Sequence, residues 1–283
     1  MTSSVPRWQT VATLAIAALS VVSALLGLFS PGHYRPELLP GFYVQDALLL
    51  FVGVPTLAVG LVYARRGSLR GRIVWLGSLA YMTYMWASIA LQVTFNQFFL
   101  GYVVLFGLSV YTLVGALAST DPDAVQVAVA PRISERIYAA FLWVIAVGLA
   151  FLWLSELVPA TVSGDPPLLV AEMGPQALAA HFIGLSAVVP AMAIAGTWLW
   201  RERPWGYVVG GAGLVFGAVL APTLTGMTLV LLFEGSVTVP LVAAVFTALP
   251  ALIAAVLAIR FVSSIPGAGR SSSDTQRQGD ASA

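Results

Sequence analysis

Long apolar stretches separated by short polar segments make up almost the whole chain. Eight of them reach the roughly 20 apolar residues that a helix needs to cross a bilayer core of about 30 Å. We predict spans at residues 10–30, 44–63, 73–92, 97–118, 137–157, 176–199, 206–232 and 239–261. The pattern therefore predicts an all-α integral membrane protein, folded as a bundle of eight transmembrane helices.

The third and fourth spans come from one uncharged run of 48 residues, Ile73 to Thr120. This run is too long for a single span, so we divide it at the polar cluster in "LQVTFNQFF", Leu91 to Phe99. We interpret the cluster as a tight turn on the outer face. A second hypothesis makes it the outer lip of a polar cavity as well.

Arginine positions give an independent test of the span count. All 13 basic residues are arginine, and cytoplasmic loops of membrane proteins are enriched in Arg and Lys. With the N-terminus in the cytoplasm, every arginine except Arg35 falls on a cytoplasmic segment. The sequence therefore predicts that both termini are cytoplasmic (N-in/C-in). The alternative for the first span is a cleaved signal peptide after Arg7, but its apolar stretch is longer than a usual signal core.

The order of segments predicts a single transmembrane domain, residues 1–262, followed by a disordered cytoplasmic tail, residues 263–283, that is rich in Ser and Gly. The halves 1–120 and 133–262 share one plan. In each, a helix enters a proline-rich outer loop, a second returns to a short arginine-bearing loop, and a helical hairpin follows. This plan predicts a 4+4 parallel pseudo-repeat. Its alternative is that any eight-helix protein divides into similar halves.

Composition agrees with a membrane protein and excludes several functions. The chain of 283 residues is 59% hydrophobic and 9% charged, whereas soluble domains are about 25% charged. A net charge of +1 leaves no basic surface for nucleic acid. No cysteine is present for disulfides or thiolate sites, and no lysine for Schiff-base chemistry. Arginine without lysine suggests a GC-rich genome, so we predict the cytoplasmic membrane of a bacterium, with membrane lipids as partners.

Polar residues inside the spans indicate where a ligand could bind, since such residues are costly in lipid and tend to face the bundle interior. On the third span they fall within an arc of about 120°, which points toward the turn. The predicted ligand-binding residues are Asp46, Tyr81, Tyr84, Ser88, Gln92, Asn96 and His181. The alternatives are that the third-span residues and His181 only hydrogen-bond within the bundle, and that Asp46 is hydrated or caps its helix.

Other features carry weaker indications. Pro222 is expected to kink the seventh span, and Pro190 and Pro250 to interrupt the sixth and eighth. Two histidines and several acids on the outer face could bind a divalent metal, but no metal-binding spacing such as HExxH is present. We therefore predict no catalytic residue, metal or cofactor. Anchoring of topology explains the loop "RRGSLRG" (Arg65 to Gly71) without a role in lipid binding or phosphorylation.

Three motifs carry a resemblance: "RRGSLRG", the tyrosine-rich "AYMTYMWAS" (Ala80 to Ser88) and "FNQFFLGYVVLFGLSVY" (Phe95 to Tyr111). Through these three motifs, the segment from about Phe42 to Leu117 resembles an uncharacterised family of bacterial polytopic membrane proteins. The resemblance implies a membrane bundle, and it transfers no activity and no site residue. The chain departs from that pattern at "FYVQD" (Phe42 to Asp46), where a small polar residue is expected before the acid.

Three functional hypotheses follow. The first is a small-molecule or ion permease, or a ligand-binding membrane protein, with a polar cavity near the outer leaflet. The second is an accessory, sensor or structural subunit whose polar residues only pack helices. The third is a membrane enzyme with its site on the outer face around His33 and His181. The sequence specifies neither the ligand nor the oligomeric state.

Overall fold

The computed structural model describes residues 5–35, 39–93, 95–234 and 241–266, and every regular element within them is helical. The helices are α1 (Arg7–Phe29), α2 (Leu39–Leu48), α3 (Val54–Arg65), α4 (Leu69–Gln92), α5 (Phe99–Ala118), α6 (Pro122–Val129), α7 (Glu135–Ser163), α8 (Leu168–Met173), α9 (Leu178–Ile183), α10 (Val189–Trp200), α11 (Pro204–Glu234) and α12 (Leu241–Ser264). The all-α prediction is confirmed. The predicted tail, residues 263–283, lies mostly outside the described residues.

Seven helical segments among the described residues are long and apolar enough to cross a bilayer, and they coincide with the first seven predicted spans. Two of them are each built from two helices, α2 with α3 and α9 with α10. The eighth predicted span corresponds to α12, whose described apolar part, Ala248–Ser264, is a shorter helix than the other seven. The chain is a multi-pass helical membrane protein, and the count of eight spans stays a prediction.

The two composite spans contain a π-helical turn at corresponding places. Leu49–Gly53 joins α2 to α3, and Gly184–Val188 joins α9 to α10. A proline follows each turn, Pro55 in one case and Pro190 in the other. Because proline has no N–H and crowds the preceding turn, the wider π turn accommodates it while the helix continues. The helices α11 and α12 likewise continue through Pro222 and Pro250.

Of these seven segments, α4 is the most deeply buried in the bundle. Glycines let its neighbours approach closely. A Cβ on Gly60 of α3 would lie 2.7 Å from the backbone nitrogen of Trp75, and one on Gly77 would lie 2.6 Å from the carbonyl oxygen of Ala212 on α11. On the α1 side, the Trp75 indole donates a hydrogen bond to Thr13 Oγ1 (3.2 Å). The helix α4, whose polar residues were predicted to share one face, is therefore packed on most sides.

The helix ends define two faces of the bundle. One face, called the arginine-rich face below, carries the N-terminus of α1, the α3–α4 and α10–α11 turns, and α6. Its described arginines are Arg7, Arg65, Arg66, Arg70, Arg72, Arg132, Arg136, Arg201, Arg203 and Arg260. The opposite face carries the loop 30–35, the turn before α5, and α8, and Arg35 is its arginine among the described residues.

Candidate functional site

Asp46 is a fully buried carboxylate close to the π turn of α2, with an exposed fraction of 0%. Its Oδ2 accepts a hydrogen bond from the Tyr34 hydroxyl at 3.0 Å. Its Oδ1 is buried and has no hydrogen-bond partner among the described residues. The two simple interpretations of Asp46 are therefore wrong: it is not hydrated at the surface, and it lies seven residues beyond the first residue of α2, too far to cap the helix.

Gly27 of α1 makes room for this carboxylate. A Cβ at position 27 would lie 1.9 Å from Asp46 Oδ2 and 2.6 Å from Cε2 of Tyr34. Neither distance is compatible with a side chain larger than hydrogen. The approach of α1 to Asp46 and Tyr34 therefore depends on glycine at this position.

The loop that follows α1 covers Asp46 from the opposite face. Tyr34 is 3% exposed, and its ring packs against Phe42 with centroids 4.7 Å apart. Burial, and secondarily the nearby Asp46 charge, raises the pKa of Tyr34. The phenol therefore stays protonated and acts as a donor to the carboxylate. A loop residue thus closes the site.

His33, next to Tyr34, joins the loop to α5. Its Nε2 lies 2.9 Å from the Tyr102 hydroxyl, and the Asn96 amide donates to the His33 carbonyl (3.1 Å) and to the Tyr102 oxygen (3.3 Å). Burial lowers the pKa of His33, which favours the neutral ring. With its proton on Nδ1, the neutral ring accepts a hydrogen bond from Tyr102 at Nε2. Tyr102 also lies beside Tyr34 and Ser23. A chain of contacts therefore runs from His33 through Tyr102 and Tyr34 to Asp46.

Further buried polar atoms without hydrogen-bond partners among the described residues lie on the helices that meet here. They are Gln45 Nε2 and Trp86 Nε1. The Tyr81 ring packs on Gly53 of the π turn, where a Cβ would lie 2.6 Å from Cε1, and its hydroxyl is next to Thr223. Buried polar groups are normally paired. Unpaired atoms around one carboxylate make this region, the Asp46 cluster, the candidate site.

The other predicted residues of α4 lie outside this cluster. The Tyr84 ring packs against Phe216 of α11 with centroids 5.8 Å apart. Gln92 donates to Ser88 one turn earlier. Asn96 has a structural role as well, because its Oδ1 accepts from the Phe98 N–H at 3.0 Å and shapes the turn before α5. Of the predicted set, Asp46, Tyr81 and Asn96 belong to or adjoin the Asp46 cluster.

His181 is buried in the second half of the chain and is tied to α7. Its Nδ1 lies 3.0 Å from the Ala177 carbonyl oxygen, and its Nε2 lies 3.2 Å from Glu156 Oε2. Glu156 Oε1 in turn accepts from the Leu169 N–H at 2.6 Å. The interpretation that His181 hydrogen-bonds within the bundle is confirmed, and no contact among the described residues joins it to Asp46.

An open groove of about 520 Å³ lies beside His181. It is lined by Leu157, Leu178, His181, Phe182, Leu185 and Ser186. Its wall is almost wholly apolar, and Phe182 is 65% exposed on a helix that crosses the bilayer. We assign this groove to lipid contact, separate from the Asp46 cluster.

Sequence reasoning missed Gly27, Tyr34, Tyr102 and Trp86 as parts of the site. For Tyr102 a signal existed, because the buried face of α5 repeats every three or four residues. For Tyr34 there was none, since it lies in an irregular loop with no periodicity to mark a buried position.

In the described part of the chain, no group of three or more His, Cys, Asp or Glu residues could hold a metal ion. Comparison with known proteins yields no match: no family model, no curated protein and no solved structure is significantly similar to this chain.

Proposed function

We propose that this protein is a small-molecule or ion permease, or a ligand-binding membrane protein, that holds its ligand at Asp46 near the outer leaflet of a bacterial membrane. One observation carries the proposal: a fully buried carboxylate with one oxygen bound to Tyr34 and the other unpaired among the described residues. An unpaired buried charge is costly, and a positive ligand or an N–H or O–H donor would offset that cost. The crowding at Gly27 limits the ligand to a small one.

The proposal includes eight spans with both termini in the cytoplasm. The arginine-rich face supports this orientation, since ten of the described arginines lie on it and Arg35 lies opposite. The loop 30–35, which covers the Asp46 cluster, then lies on the outer side of the membrane.

It also includes a 4+4 parallel pseudo-repeat, supported by features that recur 135 residues apart. These are the π turns Leu49–Gly53 and Gly184–Val188, the prolines Pro55 and Pro190, and the glycines Gly71 and Gly206. Both glycines lie against the preceding helix in the same way. A Cβ would be 2.5 Å from the Ala64 nitrogen in one case and 2.4 Å from the Leu199 nitrogen in the other.

The same spacing pairs Asp46 with His181, the two buried titratable residues just before the π turns. His181 already has Glu156 as its partner. Asp46 keeps a free oxygen among the described residues. This asymmetry supports ligand binding in the first half of the chain.

The second hypothesis, an accessory or sensor subunit, is supported by the close packing of α4, where Tyr84 contacts Phe216 rather than an open space. The enzyme hypothesis has less support. His33 and His181 belong to separate clusters, and each is engaged by neighbouring groups.

Thermal stabilisation of the purified protein by a panel of small cations, amines and polar metabolites tests the proposal. We expect at least one compound to raise the melting temperature of the wild type, and Asp46→Asn and Tyr34→Phe to abolish that rise while remaining folded. Tyr111→Phe is the matched control, because Tyr111 is 74% exposed to the bilayer. Stabilisation that survives Asp46→Asn would place the ligand elsewhere, and a panel without effect would favour the accessory hypothesis.

A further inference from the structure

The first span buries a polar face along most of its length. The residues Gln9, Thr13, Ser20 and Ser23 of α1 are each at most 1% exposed, and Gly27 continues the face to Asp46. Gln9 and Gly27 are 18 positions apart, which corresponds to about 27 Å at 1.5 Å per residue. That length is close to the thickness of the hydrocarbon core, about 30 Å. The buried face of α1 therefore carries polar groups near both of its ends, with the apolar Ile16 between Thr13 and Ser20.

α4 and α5 carry buried polar groups of their own. Ser109 and Thr112 lie on the buried face of α5 below Tyr102. Near the arginine-rich face, Gln9 adjoins Gly115 of α5, where a Cβ would lie 3.1 Å from Nε2. From α4 come the indole nitrogens of Trp75 and Trp86. We call this set, with the four α1 residues, the polar seam.

Four atoms of the seam are buried without a hydrogen-bond partner among the described residues. They are Gln9 Oε1, Trp86 Nε1, Ser109 Oγ and Thr112 Oγ1. Hydroxyls in helices commonly bond to the carbonyl four residues earlier, as Thr83 does here with Leu79 at 2.9 Å. Ser109 and Thr112 do not. Unpaired polar groups in a bilayer cost several kcal/mol each, and buried water is the usual partner of such groups.

We propose that the polar seam is a hydrated proton pathway between Asp46 and the arginine-rich face. This inference rests on the proposed function for one end of the path. A proton enters past His33 and Tyr102 and is held on the Asp46 carboxylate. It then moves along the seam by hydrogen-bond exchange, in which each water or hydroxyl accepts one proton and releases one.

The chemistry of the seam favours protons over metal cations. Between Asp46 and the arginine-rich face the seam offers hydroxyl, amide and indole groups but no second carboxylate. The titratable groups that face Asp46 are Tyr34, Tyr81 and Tyr102, and at the other end Arg72 contacts Ser119 at 3.4 Å. The apolar residues Ile16 and Leu105 are fully buried at levels between the two ends of the seam.

Cysteine accessibility tests the hydration, because the chain contains no cysteine of its own. The variants Ser109→Cys and Thr112→Cys are reconstituted in liposomes, exposed to Ag⁺, unfolded, and their remaining thiols labelled with a fluorescent maleimide. Thr83→Cys is the control, since its hydroxyl is paired within α4. We expect Ag⁺ to block positions 109 and 112 at least about tenfold faster than position 83, because thiolates form in water and not in dry packing. Equal rates would overturn the hydrated pathway.

Proton uptake into liposomes loaded with a pH-sensitive dye, under a potassium diffusion potential, tests conduction. We expect the wild type to take up protons, Thr112→Val to lose this activity, Thr112→Ser to retain it, and Thr83→Val to be unaffected. Uptake no faster than in protein-free liposomes, or unchanged in Thr112→Val, would overturn the proton pathway even if a ligand binds at Asp46. Proton uptake without any ligand-induced stabilisation would instead refute only the ligand site.

Discussion

At the scale of single residues, the Asp46 cluster depends on the missing side chain at position 27. A Cβ there would meet Asp46 Oδ2 at 1.9 Å, so Gly27→Ala must displace the carboxylate or separate α1 from α2. We expect a loss of about 1–3 kcal/mol in stability, typical of overpacking, together with the loss of ligand-induced stabilisation. Thermal melting of the variant with and without ligand is the measurement.

The control for this prediction is Gly107→Ala, because no atom lies within 4 Å of a Cβ at position 107. It should melt at the wild-type temperature or slightly above it, because alanine has the higher helix propensity. If Gly27→Ala also melts like the wild type and still responds to ligand, then α1 does not enclose the carboxylate as closely as the contacts indicate.

His33 should make stability depend on pH. Burial lowers its pKa below the ordinary 6.5, so below that pH the unfolded chain binds a proton that the folded chain resists. Stability is therefore full above about pH 6.5 and decreases as the pH falls. The melting temperature should decline between pH 7 and pH 5 in the wild type and more weakly in His33→Gln, which keeps an acceptor for Tyr102. Equal declines would show that other groups control the pH response.

The sequence predicted part of this site for a clear reason. An acidic residue inside an apolar span is rare, so Asp46 could be identified from the pattern of apolar and polar positions alone. The identity of its partner could not, because Tyr34 reaches Asp46 only after the loop folds back over the bundle. The predicted polar face of α4 identified only part of the site, since helical periodicity gives the direction of a side chain but not the neighbour it meets. Tyr81 meets the π turn, whereas Tyr84 meets Phe216.

At the scale of elements, Glu156 attaches α8 to the bundle. One of its oxygens accepts from the Leu169 N–H and the other lies 3.2 Å from His181 Nε2, so Glu156→Ala removes both contacts. We expect a loss of about 1–3 kcal/mol, the usual cost of unpaired buried groups, and faster amide hydrogen exchange in residues 168–173. Glu172→Ala is the control, because Glu172 is exposed on the same short helix. Unchanged exchange in Glu156→Ala would mean that other contacts hold α8.

The elements that the sequence predicted are those with a strong signal of their own. Runs of 20 or more apolar residues identify spans whatever their neighbours are. The short helices α6 and α8 were not predicted, because eight and six residues carry too little periodicity to be distinguished from loop. The π turns were also missed, since Pro55 and Pro190 signal a disturbance without specifying whether the helix bends, breaks or widens.

At the scale of the whole molecule, the proposed pseudo-repeat is supported by spacing along the chain and not by side-chain identity. The matched positions Asp46 and His181 hold different side chains and contact different partners, Tyr34 and Glu156. A comparison of backbone geometry at matched positions is therefore more sensitive than sequence comparison.

The number of spans determines which side of the membrane carries the C-terminus. With eight spans both termini share the arginine-rich face, whereas with seven the C-terminus lies opposite. Fusing green fluorescent protein or alkaline phosphatase to the C-terminus distinguishes the two, because the first fluoresces only in the cytoplasm and the second is active only outside it. We expect fluorescence without phosphatase activity. Fusions after Gln92 and after Ala118 serve as outer and inner references. An active phosphatase at the C-terminus would reduce the bundle to seven spans and remove α12 from the pseudo-repeat, since a half with three spans cannot match one with four.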